Sequence, residues 1–405
     1  MTDTTAPDRR VLFITTMDPD TTPHAEWIPW TLEKAGWHVT TVTPAGEGSL
    51  VRDVLGAHWK CRTFPFAWGK NRLVAEYSLL RELLRARFGS DRLIYLHSQG
   101  LGWRAALVFL GPLFGKRLVY HNPDYYDPIA YPIRATLEGL LARQCDLVVS
   151  HEFHRGYIMR AAYRLRCPIL VSPPHLSIGW PIPPRSEERR REMAGGCDDA
   201  FLLRLHSGFH PRRMVPQLFE ALSRLPERFR LVMSGRADGT AEPGAARLLR
   251  KLGVAGRVVT LPRLDYRTML EYTASSDAGI LLYANNDLGN FFQAPGRLTE
   301  YLACGLPVVA SRFTGIENLV VRYGIGRCAE PGDPAKLAEA MLALENDTRT
   351  GRFSPALMRR RFETHFAYDH WENRVVTAFD RALRFGRGTR QAPPPEYWFP
   401  QTVPE

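Results

Sequence analysis

Cysteine is scarce in this sequence, and the cysteines stand far apart. There are six among 405 residues, and none forms the Cys-x-x-Cys pair that zinc knuckles and dithiol redox sites use. Several lie inside apolar runs, where cysteine acts as a small core residue. A disulfide scaffold, a zinc knuckle and a redox motif are therefore not predicted.

Long hydrophobic runs are also lacking. The longest candidate, residues 105–114, is too short to cross a membrane and contains Pro112. The amino-terminal segment MTDTTAPDRR is polar and leads straight into a strand, which is not the pattern of a signal peptide. We expect a protein of the reducing cytoplasm, with any membrane contact peripheral, at the inner face of the cell membrane.

Positive charge comes mostly from arginine, and lysines are few. The formal net charge is +11. One interpretation is a genome rich in arginine codons; the other is binding to nucleotide phosphates or to an anionic membrane surface. The basic residues of 72–92 are consistent either with a contact to anionic lipid or with the solvent-exposed face of a helix. Because the charge is spread over both halves without a recognition module, no nucleic acid partner is expected.

Short apolar runs alternate with helical segments along the chain. Polar residues bound each run, which indicates buried strands, and the alternation indicates doubly wound parallel sheets. The series starts twice, so the sequence predicts two α/β domains, as its length also favours. The predicted strands lie at 11–16, 39–42, 93–96, 117–120, 147–150 and 169–171, then at 201–206, 230–233, 258–261, 278–282 and 307–310.

A proline-rich segment separates the two series. Residues 172–191 hold five prolines and then a charge run, a composition typical of a linker followed by a solvated helix start. A last helix is expected to return to the first domain, before a flexible tail. The predicted boundaries are 1–178 and 200–365 for the domains, 179–199 for the linker, 366–386 for the last helix and 387–405 for the tail.

Polar residues follow three predicted strands of the first domain. They begin with His97, His121 and His151, at 97–100, 121–124 and 151–152. Ligands of open parallel sheets bind beyond the carboxyl ends of the strands. The three endings are therefore expected to line one cleft.

Residues 290–311 carry the most specific pattern in the chain. A loop with Pro295 and Gly296 opens a predicted helix, Gly305 closes it, and Pro307 starts a buried strand. A helix amino terminus presents backbone N–H groups and the positive end of the helix dipole, which favours a diphosphate. Gly296 lets such a ligand approach the backbone closely.

Glu300 lies about one turn into this helix. Its carboxylate is placed to accept hydrogen bonds from the vicinal hydroxyls of a ribose. Two plainer interpretations remain open from the spacing, namely an ion pair with Arg297 at i,i+3 or support of the helix dipole.

This stretch resembles the nucleotide-sugar segment of GT-B retaining glycosyltransferases, especially glycosyltransferase family 4 and its relatives (group 1 glycosyltransferases). Glu300, the apolar residues after it, Gly305-Leu306-Pro307 and a valine-rich strand match the second half of that segment. The resemblance implies that Glu300 contacts the ribose. It also implies a donor seat formed by Pro295, Gly296, Arg297 and Leu298.

The first half of the segment departs from the family. Phe292 stands where the family has a glutamate that contacts the transferred sugar. Gln293 or Asn290 is expected to supply polar contacts instead. The identity of the sugar is the property that this departure affects most.

A second part of the resemblance is the loop 207–213, where the family places a basic residue on the diphosphate. Arg213 is the preferred match and Arg212 the next, while a solvated arginine pair at a turn is the plainer alternative. Gly208 in this loop and Gly235, after the strand at 230–233, are expected to lie near the donor.

In the amino-terminal domain the resemblance is weaker. A histidine at a strand end there often touches the donor sugar in the family, which points to His121, although a core or capping histidine fits equally well.

The acceptor-side candidates are His24, His97, Asp124 and His151. Residues 18–24 replace the glycine-rich loop that is common in the family, and Asp124 also fits an ordinary turn.

The resemblance implies two Rossmann-like domains facing each other across a cleft, and transfer of a sugar from a nucleoside diphosphate sugar to an acceptor hydroxyl or other nucleophile with retention. No cofactor is expected beyond the sugar nucleotide, and no metal, because the resemblance implies a class of enzymes that generally needs none. Two alternatives stay open: a degenerate GT-B accessory or binding protein, and a sugar-nucleotide epimerase of the same fold.

Overall fold

The computed structural model describes residues 8–19, 22–44, 49–65, 72–113, 115–125, 127–210, 213–234 and 243–385. The chain divides into two compact units. The first comprises Met1–Pro174 together with Tyr368–Glu405, and the second comprises His175–Ala367. The predicted tail at 387–405 lies outside the described residues.

Each unit is built around one parallel sheet. Within the described residues the first sheet has the strand order β3-β2-β1-β4-β5-β6-β7, and the second has the order β10-β9-β8-β11-β12-β13. The strands are β1 (Arg10–Thr15), β2 (His38–Pro44), β3 (Lys60–Phe64), β4 (Leu93–His97), β5 (Arg117–Asn122), β6 (Leu147–Ser150), β7 (Ile169–Val171), β8 (Phe201–Leu205), β9 (Phe229–Ser234), β10 (Val258–Leu261), β11 (Ala278–Leu281), β12 (Val308–Ser311) and β13 (Gly326–Ala329).

Helices connect the strands, as parallel pairing requires. They are α1 (Trp27–Lys34), α2 (Leu50–Leu55), α3 (Arg72–Phe88), α4 (Gln99–Phe109), α5 (Pro132–Gln144), α6 (Phe153–Tyr163), α7 (Glu187–Ala194), α8 (Val215–Ser223), α9 (Pro243–Lys251), α10 (Tyr266–Ala274), α11 (Leu288–Phe291), α12 (Gly296–Ala303), α13 (Thr314–Arg322), α14 (Pro334–Arg349), α15 (Pro355–Arg361) and α16 (Glu372–Phe385).

All eleven predicted strands are present, with ends shifted by at most two residues. Two further strands, β3 and β13, lie at sheet edges and were not predicted. Their sequences, KCRTF and GRCA, carry few apolar residues because an edge strand is only partly buried. Residues 179–199, predicted to be a linker, fall inside the second unit and include α7.

The last helix, α16, belongs to the first unit. Its Asp380 forms an ion pair with Arg9 at 2.7 Å, and its Glu372 pairs with Lys34 at the same distance. Its Phe379 is fully buried and meets the rings of Trp37 and Tyr95 edge-on. The core of the first unit is therefore completed by α16, the last helix of the described residues.

Both sheets contain a point where the strand order reverses. It lies between β1 and β4 in the first unit and between β8 and β11 in the second. The connecting chain leaves in opposite directions at such a point and opens a crevice beyond the carboxyl ends of the two strands, which is where ligands of open α/β sheets bind. The fold thus marks one candidate binding edge in each unit.

Helix α12 is fixed to the second sheet by Tyr301. This side chain is fully buried, and its hydroxyl donates to the carbonyl oxygen of Arg204 at 3.0 Å and accepts from the amide of His206 at 3.2 Å. Its ring covers Gly279 on β11 so closely that a Cβ there would lie 2.3 Å from a ring carbon. The missing side chain of Gly279 is what allows α12 to lie against the end of β8.

We predict that Gly279→Ala destabilises the protein, because overpacking of this kind costs about 1–3 kcal/mol. The melting temperature should fall, as measured by differential scanning calorimetry. The matched control is Gly256→Ala, since a Cβ at Gly256 would meet no atom within 4 Å. Equal melting temperatures for the two variants would contradict the proposed contact.

Candidate functional site

The amino terminus of α12 has the arrangement that the sequence predicts. The helix begins at Gly296, directly after Pro295, and Gly305 lies behind its last turn with a φ of +83°. One expected contribution is wrong, however. The Leu298 amide donates to the carbonyl oxygen of Pro295 at 2.9 Å, so it is not available to a ligand. Within the described residues, the amides of Gly296 and Arg297 make no hydrogen bond.

Glu300 is held in place by two side chains of other elements. Tyr266, the first residue of α10, donates to Oε1 at 2.8 Å, and Nδ1 of His206 lies 3.0 Å from Oε2. The ion pair with Arg297 that its spacing suggested is not formed. Glu300 is partly exposed, so its carboxylate is both oriented and accessible.

His206 directly follows β8, at the point where the strand order reverses. A carboxylate only accepts hydrogen bonds, so Nδ1 of His206 carries the hydrogen that Glu300 receives. Nε2 then faces the hydroxyl of Thr273 at 2.7 Å. Burial lowers the pKa of His206 to about 4, although the hydrogen bond to Glu300 opposes that shift. The ring is therefore neutral at neutral pH and adds no positive charge beside Glu300.

Two arginines converge on the ring of Tyr283, which lies two residues after the end of β11. Arg297 donates to the Tyr283 hydroxyl at 2.9 Å, and its guanidinium carbon lies 5.5 Å from the ring centre. The guanidinium of Arg213 lies 4.4 Å from the same centre. In the described part of the chain no carboxylate forms an ion pair with Arg297. Two cations beside a helix amino terminus make this edge suited to an anion.

The electrostatics of Arg297 support that conclusion. Burial acts to lower its pKa, but Tyr283, Tyr301 and Glu300 raise it, and the net shift is upward. The guanidinium therefore stays charged although its surroundings are largely desolvated. A charge at such a place acts more strongly on a bound anion than the same charge on a wet surface.

The remaining donor-side candidates are placed less centrally. Gln293 donates to the side chain of Asn290 at 3.4 Å, and Phe292 packs edge-on against Phe291. Gly208 lies in the loop after β8. Arg212 and Gly235 fall outside the described residues.

Three predicted strand endings of the first unit come together. His97, His121 and His151 are buried, and each offers a ring nitrogen within 4.8 Å of the other two. The ring of His24 lies 6.1 Å from that of His151. Asp124 differs, because its side chain is 62% exposed and lies 3.6 Å from a guanidinium nitrogen of Arg155.

Burial also sets the charge of these histidines. It lowers the pKa of His97 to about 3 and that of His121 well below its ordinary value, and the neighbouring histidines lower both further. At neutral pH these two rings are therefore uncharged.

Sequence reasoning missed three residues of the second unit, namely His206, Tyr266 and Tyr283. His206 carried a usable signal, because it ends a predicted strand, as His97 and His121 directly follow theirs. Tyr266 and Tyr283 carried none, since their roles depend on which strand and which helix become neighbours.

Comparison with known proteins shows which proteins this chain is similar to. Residues 201–347 match the model of the group 1 glycosyl transferases. A D-inositol 3-phosphate glycosyltransferase of Xylanimonas cellulosilytica is 28% identical over 172 residues, which is 41% of this chain and 39% of that protein. A second one, from Acidothermus cellulolyticus, is 29% identical over 51% of this chain and 46% of that protein. The chain thus spans less than half the length of these curated relatives.

Solved structures resemble the chain over nearly its whole length. HepE of Anabaena, in complex with UDP and glucose, has a TM-score of 0.72 at 17% identity and covers 91% of this chain and 98% of its own. A sucrose-phosphate synthase from Thermosynechococcus elongatus has a TM-score of 0.69 at 17% identity, over 92% and 99% of the two chains. The predicted resemblance is confirmed: the two units have the fold of GT-B glycosyltransferases, and residues 201–347 match the group 1 glycosyltransferase family.

Proposed function

We propose that the protein is a glycosyltransferase that binds a nucleoside diphosphate sugar at the carboxyl edge of its second sheet and transfers the sugar to an acceptor nucleophile. The observation that carries this proposal is the convergence of Arg213, Arg297 and the amino terminus of α12 beside the oriented carboxylate of Glu300. The UDP and glucose bound by HepE and the names of the curated relatives support it.

Glu300 is the proposed ribose contact. Ribose offers two neighbouring hydroxyls, and a carboxylate accepts from both when its plane is fixed. Tyr266 and His206 fix that plane from two directions. The neutral state of His206 matters here, because a protonated ring would pair with Glu300 and compete with the ribose.

The diphosphate is the proposed partner of the two arginines. Breaking the bond between the anomeric carbon and the phosphate oxygen leaves negative charge on the diphosphate. Arg213, Arg297 and the amides of Gly296 and Arg297 would stabilise that charge without reorganisation, because their positions are fixed before the reaction. We propose retention of configuration with the departing phosphate assisting the acceptor, and no metal at this seat.

Glu300→Gln is expected to weaken binding of the preferred nucleotide by about 10- to 100-fold, because hydrogen bonds to charged groups contribute about 1.5–3 kcal/mol. Isothermal titration calorimetry with UDP, GDP and dTDP measures this effect. Glu339→Gln is the matched control, since Glu339 is exposed and pairs only with Lys336 among the described residues. Unchanged affinity in Glu300→Gln, with the protein folded, would refute the ribose assignment.

Turnover is the direct test of the proposed function. Purified protein is offered a panel of UDP-, GDP- and dTDP-sugars, nucleotide release is followed, and products are analysed by mass spectrometry and NMR. We expect one donor to release its nucleotide and Arg213→Ala to lower that rate about 10²- to 10³-fold. Arg267→Ala is the control, since the Arg267 side chain is 87% exposed.

The same products distinguish the other candidate activities. A sugar nucleotide converted to its epimer, without nucleotide release, would show an epimerase. Binding of a nucleotide without any product from the whole panel would favour an accessory protein over an enzyme.

Helix α3 carries the proposed contact with an anionic membrane. Among the described residues no helix has the length and apolar character needed to cross a bilayer. One face of α3 nevertheless exposes a row of large apolar side chains at helical spacing, and the helix also carries four arginines. The row comprises Leu73, Tyr77, Leu80, Leu84 and Phe88. Such a basic, apolar face favours a position in the interface of an anionic bilayer.

We expect the full chain to co-sediment with vesicles that contain phosphatidylglycerol and not with pure phosphatidylcholine vesicles. Binding should weaken as salt rises, because the electrostatic part is screened. The variant Leu73→Ser/Tyr77→Ser/Phe88→Ser should lose at least about tenfold in vesicle affinity. The control is Val321→Ser/Leu342→Ser, which changes exposed apolar residues of the second unit. Equal binding by both variants would contradict the proposed surface.

A further inference from the structure

Three adjacent strands of the first sheet carry a histidine at or next to their carboxyl ends. His97 ends β4 and pairs in register with His121 on β5. Ser150, which ends β6, pairs with Asn122, and His151 follows it. The ring centres of His97 and His121 lie 4.6 Å apart, and those of His121 and His151 lie 4.7 Å apart. The topology therefore collects three imidazoles at one buried point.

The rings of His97 and His121 are each held by a hydrogen bond through one nitrogen only. Nδ1 of His97 lies 3.1 Å from the Thr15 hydroxyl, and Nδ1 of His121 lies 2.6 Å from the Tyr95 hydroxyl. The Nε2 atoms of both rings are buried and have no hydrogen-bond partner in the described residues. Leaving such a nitrogen without a partner in the core is costly, so the arrangement calls for a ligand at Nε2.

The pattern of one anchored and one vacant nitrogen is that of metal-binding histidines. In such sites the second ring nitrogen usually bonds a carboxylate, a backbone carbonyl or a water oxygen, which fixes the tautomer and the orientation of the ring. Tyr95 and Thr15 stand in that position here. A polar core histidine without a ligand would be expected to satisfy both of its nitrogens.

We propose that His97, His121 and His151 bind one divalent transition-metal ion, and that zinc fits the site best. Three nitrogen ligands are the donor set that zinc accepts, whereas magnesium and calcium require oxygen ligands. Zinc–nitrogen bonds of about 2.0–2.1 Å place tetrahedral ligand atoms about 3.3 Å apart. In this structure the ligand atoms lie within 4.8 Å of one another, so metal binding would draw the three rings closer together.

Three protein ligands leave a fourth position for water, or for the neighbouring ring of His24. The proposal concerns the first unit alone and does not rest on the nucleotide seat of the second. It also excludes the role expected for His121 as a donor-sugar contact, because a bound metal would occupy the Nε2 atom that the sugar contact requires. Metal binding and sugar binding therefore give different results in the following experiment.

The experiment uses the full chain without a histidine tag, stripped with a chelator and then titrated with Zn²⁺ by calorimetry. We expect one equivalent of zinc per chain and a rise in melting temperature that the chelator reverses. Titration with Co²⁺ should give the visible absorption bands of a tetrahedral nitrogen site. His121→Gln should weaken zinc binding at least 100-fold, whereas His58→Gln, which alters an exposed histidine, should not change it.

A second variant guards against simple loss of folding. Tyr95→Phe keeps the ring and removes only the hydroxyl that anchors His121, so it should fold and weaken zinc binding about 10- to 100-fold. The proposal is overturned if the stripped wild-type chain takes up no zinc and gives no cobalt bands, or if His121→Gln binds zinc as wild type does. Loss of sugar-nucleotide turnover in His121→Gln without any zinc uptake by the wild type would instead support the sugar contact.

Discussion

The hydroxyl of Tyr301 holds the candidate nucleotide seat together. It connects α12 to the carbonyl oxygen of Arg204 and to the amide of His206, on either side of the last residue of β8. Because Glu300 precedes Tyr301 on the same helix, these bonds also bring its carboxylate to the side chain of His206. The close passage over Gly279 makes the contact possible. If α12 shifted along the sheet, the proposed ribose contact, the proposed diphosphate seat and the tautomer of His206 would all change together.

Among the residues that the structure describes, the charged side chains at the amino terminus of α12 are held by neutral groups and not by opposite charges. Glu300 is oriented by a phenol and a neutral imidazole, and Arg297 is oriented by a phenol. Tyrosine and histidine thus fix the charged groups without cancelling their charge. An ion pair between Glu300 and Arg297 would have satisfied both groups and left less attraction for a ligand. Such an arrangement suits the proposed ligand, which carries both hydroxyls and phosphates.

The two units use the same topological device for different chemistry. In each sheet the strand order reverses beside the first strand of the unit, β1 or β8. Polar side chains lie beyond the carboxyl ends of the strands at that point. In the second unit these side chains include two arginines and a carboxylate, which suit a nucleotide. In the first unit they are histidines, whose buried neutral rings suit a transition metal or a neutral polar ligand. The side chains at the edge, rather than the fold, decide between these ligands.

The sequence by itself determined the two doubly wound sheets, the central strands and the start of α12 at Gly296, because buried parallel strands are continuous apolar runs and helix ends carry local signals. It also predicts Glu300 and Arg213 as donor contacts. Only the tertiary structure decided that Glu300 bonds Tyr266 and His206 instead of Arg297, that the Leu298 amide is already used, and that Arg213 and Arg297 share Tyr283. These contacts join residues up to 94 positions apart. Local pattern cannot specify them, because they depend on which strands become neighbours when the sheet assembles.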